Sequence, residues 1–234
     1  MRKPTWLEEK EAIEEELDLQ EEQFISEKQL MKWYNQAIDK CEAHIHNLNE
    51  DWFLTDSPFI LSKDVRSYDL PDNIYGVSIR SFHYISSTDE YPLNRIVNIN
   101  DTLDENNIIS HDQYSYMVFN SEANGPQVRF YPTPTKDYLS EITINYIRNA
   151  ARLEYDIVLR NEQEIDIPEF SSFCRQYVIC KCHEKEKQWQ SYQVAKAELN
   201  ELENLMKQTL GKKEKDGQSM LTPDMESAEE YGLF

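Results

Sequence analysis

Five glycines in 234 residues leave little material for tight, backbone-lined loops that cradle phosphate, and no GxGxxG, P-loop or GxSxG segment occurs. Nucleotide chemistry of the common kinds is thereby disfavoured. Basic residues are also scarce: 24 Lys and Arg stand against 44 Asp and Glu, for a formal net charge of −20. Such a surface repels phosphate and anionic lipid, so a broad face that grips nucleic acid or a membrane is not expected. An acidic wall can still serve DNA, because a channel that repels the backbone lets the duplex slide without sticking. No run approaches the ~20 apolar residues of a membrane span, and the start MRKPTWLEEKEAIEEE brings acids before any apolar signal core, so a soluble product without an export signal is expected. The four cysteines, Cys41, Cys174, Cys180 and Cys182, make no small-domain disulfide framework and read as reduced thiols of a protein made in the cytoplasm.

What is present is globular. Apolar residues make up 39% and charged residues 29%, enough for a core, while a mean hydropathy of −0.75 leaves ample solvated surface. Trp33, Trp52, Trp189 and many of the 14 tyrosines exceed what a small core needs, and Trp and Tyr are favoured interface anchors.

Two groups of soft ligands invite a metal reading: Cys41, His44 and His46, and Cys174, Cys180, Cys182 and His183. On a helix, however, residues i and i+2 point about 200° apart, which separates His44 from His46 and Cys180 from Cys182. No CxxC pair exists. The expectation is therefore no metal, no cofactor, solvent-facing His and half-buried Cys. Carboxylates are too abundant for any pair to stand out as glycosidase-like, and most lie in charge runs that read as solvated faces. No catalytic residue is singled out, and the chain is not expected to be an enzyme.

Along the chain, residues 1–24 read as an acidic N-terminal arm or peripheral helix with a sparse stripe of Leu7, Ile13 and Leu17. Residues 25–57 hold the first helix of a helical module. Ser26 and Gln29 stand in capping-box register and Ile25 and Leu30 in staple positions, followed by Leu30, Trp33, Ala37, Ile38, Cys41, Ile45 and Leu48 at helical spacing. Residues 58–150 change period, with β-branched and aromatic runs between Pro, Asn and Asp, the clearest being Ile142, Ile144 and Tyr146; five to seven antiparallel strands are expected. Residues 151–165 form a connecting loop. Asp166 as cap and Pro168 in the first turn then open a long helix or helix pair over 166–210, bent at the polar CHEKEKQ and stopped at Gly211. Leu30 and Trp33 should pack on its residues 170–178. The tail 211–234 is expected to bind a partner through Leu221, Tyr231, Leu233 and Phe234, because so few anchors cannot offset ~1–2 kcal/mol of backbone entropy per ordered residue alone. The fold class is thus α+β: a helical bundle module from the first and long C-terminal helices, a small antiparallel β-rich middle domain, and extended terminal arms.

This order, SEKQLMKWYNQAIDKCEAHI, then a strand ending in YDLPDN, then VRFYPTPTKDYLSEITINYIRNA, then EIDIPEFSSFCRQYVICKCHEKEKQW and AKAELNELENLM, resembles the head-to-tail adaptor (connector) proteins of tailed bacteriophages over residues 24–210. The resemblance is to the short-tailed phage type. It implies a structural virion protein at the head–tail junction, made in the host cytoplasm, forming a homo-oligomeric ring of about twelve copies under the portal vertex. Helices would pack between subunits, the β portion would face the next tail or ring protein, the C-terminal extension would reach the portal protein, and genomic DNA would pass the lumen without specific binding. The long insertion between Asp101 and Gln113 and the shortage of glycine depart from smaller members. The alternatives are a cell-wall hydrolase, an activity credited to some relatives for which no motif is present, and a non-viral helical scaffold. The second would need a heptad seam, which is not sustained through residues 180–188.

Overall fold

The computed structural model describes residues 2–17, 25–85, 90–97 and 114–219, with side chains through Gly211. The chain divides into two compact units, a helical one of Met1–Trp52 with Ala150–Phe234 and a β unit of Phe53–Asn149.

In the helical unit, α1 (Trp6–Glu16) starts at a capping box: the Glu8 amide donates to the Thr5 hydroxyl at 3.4 Å and the Thr5 amide to the Glu8 carboxylate at 2.9 Å. Of the expected stripe, only Ile13 is fully buried. Leu7 is exposed, whereas Trp6, Glu9 and Ile13 are buried, and Trp6 sets its ring edge-on to Tyr34 with centroids 5.5 Å apart. Its indole N–H donates to Glu27 at 3.2 Å.

Helix α2 (Glu27–Leu48) lies where the periodicity placed it, with Ile25 and Leu30 both fully buried in the staple positions. Two local expectations fail. Ser26 makes no side-chain cap; its carbonyl instead accepts from the Gln29 and Leu30 amides at 2.8 and 3.1 Å. Trp33 is half-buried rather than central, with Lys185 Nζ 5.8 Å from its ring centroid, while Met31 and Tyr34 take the inner positions.

Pro168–Phe170 forms a 3-10 turn that leads into α3 (Ser171–Glu186). Asp166 does not cap it: its carboxylate accepts the Ala151 amide at 2.9 Å and faces Lys3 at 3.4 Å. The polar CHEKEKQ segment breaks the long helix in two. Lys187 closes α3 in the left-handed region (φ 60°), where only a cap residue sits comfortably, and α4 (Trp189–Ser219) follows. Gly211 does not stop α4, since one helical glycine costs only about 1 kcal/mol against the surrounding propensity.

The three helices pack in sequence with alternating direction. Cys41 of α2 meets Cys174 of α3, and Trp33 meets Lys185, so α2 and α3 run antiparallel. Gln176 of α3 donates to the Ala195 carbonyl at 3.1 Å and to Glu198 at 2.8 Å, at the buried stripe Ala195, Leu199, Met206 and Leu210 of α4. Glu203 of α4 faces His44 of α2 at 3.3 Å, so α4 returns parallel to α2.

The β unit contains two four-stranded sheets among its described residues. One runs β1 (Leu54–Pro58), β8 (Ile142–Arg148), β3 (Ile74–Ile85), β4 (Glu90–Pro92), antiparallel throughout. The other runs β2 (Ser67–Asp69), β7 (Gly125–Tyr131), β6 (Ser115–Ser121), β5 (Asn94–Arg95), and its β5–β6 pair is parallel, against the expectation of a wholly antiparallel domain. Ile142 and Ile144 alternate inward as read from sequence, and Ile144 lies opposite Phe82 in register. Phe82 packs edge-on to Phe59 (5.2 Å) and Phe130 (5.3 Å), forming an aromatic core. The insertion 101–113 lies outside the described residues.

Candidate assembly surfaces

The buried acids of the helical unit are braces. Glu9, almost without exposed surface, accepts from Arg175 Nε and Nη2 at 3.3 and 3.2 Å, a two-point grip that ties α1 to α3. Glu42 accepts from Arg152 Nη2 at 2.6 Å and from the Ala150 amide, and Asp39 accepts from the same guanidinium at 2.7 Å. This fixes the incoming chain at residues 150–152 against α2. Asn35 completes the attachment by exchanging two hydrogen bonds of 2.9 Å with the backbone of Leu153.

Among the described residues, three carboxylates have displaced affinities for the proton, and all three are displaced downward. Burial would raise Glu27, but the Trp6 indole N–H and the charges of Lys10 and Arg160 outweigh it. The Lys207 hydrogen bond lowers Glu203, with the charges of Lys207 and His44 adding to it, and the Ser140 and Leu139 amides lower Glu141. These shifts favour permanent anions, the opposite of what a proton-donating catalytic acid requires.

The soft ligands are placed differently from the sequence reading. All four cysteines are buried; Cys41 and Cys174, from separate helices, face each other at 3.8 Å. Their spacing of more than a hundred residues carried no sequence signal. His44 is half-buried and bridges to α4, His46 is buried with Nε2 3.9 Å from Glu42, and His183 is half-buried with a 3.0 Å hydrogen bond to Gln188, so none of the three is the solvent-facing His expected. Among the described residues no group of three or more His, Cys, Asp or Glu is arranged to hold a metal ion. No helix among them is long and apolar enough to cross a membrane.

What remains for function is surface. On α4, Trp189, Val194 and Leu205 are each more than half exposed. Residues 155–160 expose Ile157, Val158 and Leu159 in a row, Val158 at 98%. Beside them a groove of about 640 Å³ runs along the outer face of α2, bounded by Lys28, Met31, Lys32, Asn35, Leu153 and Tyr155. The Tyr155 ring lies between Lys28 (5.2 Å) and Arg160 (4.9 Å), which holds the groove wall upright. In the β unit, Val97, Leu139 and Ile60 are the most exposed apolar side chains. Isolated surface apolars are ordinary, whereas here three consecutive exposed apolar residues lie beside a groove. The expected anchors Leu221, Tyr231, Leu233 and Phe234 lie outside the described residues.

Compared with known proteins, no curated protein matches the chain at a significant level. A family model does, that of the SU10 adaptor protein, and it spans residues 4–225, taking in both units, the groove and all of α4. With a structure whose buried charges brace helices and whose unspent apolar residues lie on the surface, the chain belongs to the SU10 adaptor protein family, structural head–tail adaptors of phages.

Proposed function

We propose that the chain assembles into a ring of about twelve copies that joins the portal vertex to the tail and lines the channel through which the genome leaves. The observation that carries this reading is family membership over residues 4–225. The reading assigns the helical unit to contacts between subunits, where Trp189, Val194 and Leu205 offer unspent apolar area, and the β unit to the next tail or ring protein. It assigns the tail anchors Leu221, Tyr231, Leu233 and Phe234 to assembly partners, the portal protein among them.

The charge of −20 per copy supports two further parts of the reading. A ring of such chains has a lumen wall that repels the phosphate backbone, so DNA passes without specific binding. The same charge makes self-association repulsive until a partner supplies a template, which suits addition after the head is filled. The adaptor then works at the head–tail junction of the virion, after synthesis in the host cytoplasm.

Deleting the gene from its phage tests this. The expected product is heads that package DNA, lack tails and lose the genome; infectious tailed particles would overturn the reading.

A further inference from the structure

We propose that the groove on the outer face of α2 is the receptor for the C-terminal segment 220–234 of a second copy of this chain. The inference rests on the ring assembly proposed above and names one of its joints.

On a chain of net −20, the groove presents Lys28 and Lys32, both exposed, and among the described residues neither has a carboxylate partner. Asp39 also lines the groove but is paired with Arg152 at 2.7 Å, and Arg160 beside Tyr155 is paired with Glu27 at 3.3 Å, so Lys28 and Lys32 carry the groove's unspent charge. The segment 220–234 has the opposite character: Asp224, Glu226, Glu229 and Glu230 with no Lys, Arg or His, and Met220, Leu221, Met225, Tyr231, Leu233 and Phe234 as large apolar side chains. An apolar floor of Met31, Leu153 and Tyr155 under a cationic rim fits an acidic peptide with aromatic and aliphatic anchors. The exposed row Ile157, Val158 and Leu159 extends the apolar surface beyond the groove.

The direction of α4 favours a second copy over the same chain. Because Glu203 meets His44 and α4 runs parallel to α2, α4 carries the chain away from the groove. Ser219 lies 16 residues past Glu203, roughly 24 Å along the axis, and the groove centre at Lys32 lies 12 residues before His44, roughly 18 Å the other way. Returning over about 42 Å needs about 12 extended residues at ~3.5 Å each. That consumes residues 220–231, so only the last few residues could enter the chain's own groove, and Asp224, Glu226, Glu229 and Glu230 would all fall short of Lys28 and Lys32. In a ring, a neighbour's groove needs no such return.

The test uses the full chain with Tyr231 replaced by the photocrosslinking residue benzoylphenylalanine, mixed equally with ¹⁵N-labelled chain of the same kind and assembled on the portal ring. Irradiation should give crosslinks to residues 26–39 and 153–159, half of them joining a light to a heavy chain. The double variant Lys28→Glu/Lys32→Glu, both surface positions, should lose at least about five-fold of that yield with an unchanged melting temperature. Crosslinks confined to one chain, crosslinks to the portal alone, or a yield untouched by charge reversal would each overturn the inference. If rings form on the portal without groove crosslinks, this joint is wrong and the adaptor reading stands; if no ring forms on the portal, the adaptor reading itself fails.

Discussion

Cys41 on α2 and Cys174 on α3 place their sulfurs 3.8 Å apart, with neither side chain reaching solvent. Burial pushes the Cys174 thiol well above its ordinary range, with the Cys41 hydrogen bond adding to it, and pushes Cys180 up to about 11 and Cys182 up to about 12. At pH 8 a thiol of pKa 11 is about 0.1% thiolate, and the thiolate is the reactive form. A disulfide reagent should therefore label none of the four thiols over the minutes in which free cysteine reacts completely, and all four once the chain is unfolded in guanidinium. Prompt labelling of the folded chain would contradict the α2–α3 packing.

Trp6 and Trp33 exchange the roles that the sequence suggests. Trp6 is fully buried, edge-on to Tyr34 and hydrogen-bonded to Glu27, whereas Trp33 is half-buried beside Lys185. Trp6→Ala should cost ~3–5 kcal/mol and Trp33→Ala about 1 kcal/mol or less in denaturant unfolding. The reverse order would place α1 away from the core.

The Glu9–Arg175 brace predicts an asymmetry. Arg175→Met leaves a buried carboxylate without its partner and should cost about 2–3 kcal/mol, less than a wholly buried pair because the guanidinium is about a third exposed. Adding Glu9→Met should recover most of that loss. A double-mutant cycle with no coupling between the two positions would contradict the geometry.

His46 predicts a pH dependence. Burial lowers its pKa in the folded chain, with the Glu42 carboxylate opposing the shift. The unfolded chain binds a proton near pH ~6.5 that the folded chain refuses, so stability is full above that pH and is lost as pH falls toward the depressed folded value. Melting curves at pH 7.5, 6.5 and 5.5 should therefore fall more steeply for the natural protein than for His46→Gln. Equal slopes would contradict the shift.

What was legible in the sequence is what local pattern carries. The stripe from Leu30 to Ile45 placed α2, the Ile142–Ile144 alternation placed β8, and the polar run before Trp189 placed the break between α3 and α4. What was missed depends on distant partners. Leu54–Pro58 has no β-branched apolar run and is a strand because β8 supplies its hydrogen bonds. Trp6 and Glu9 read as part of an acidic arm because the residue that stabilises Glu9 is Arg175, far along the chain. The groove was illegible for the same reason, since Leu153 and Tyr155 are brought to α2 by Asn35, Glu42 and Arg152 from more than a hundred residues away.

The central claim is that this adaptor becomes a ring on its partner. Native mass spectrometry of the purified chain at low micromolar concentration, alone and with the portal ring, tests it most directly. The chain alone should be a monomer or a weak, salt-dependent oligomer, because −20 per copy opposes closure. On the portal the added mass should be roughly 330 kDa, about twelve chains of 27.8 kDa. A portal ring that gains no mass in the presence of excess chain would contradict the claim.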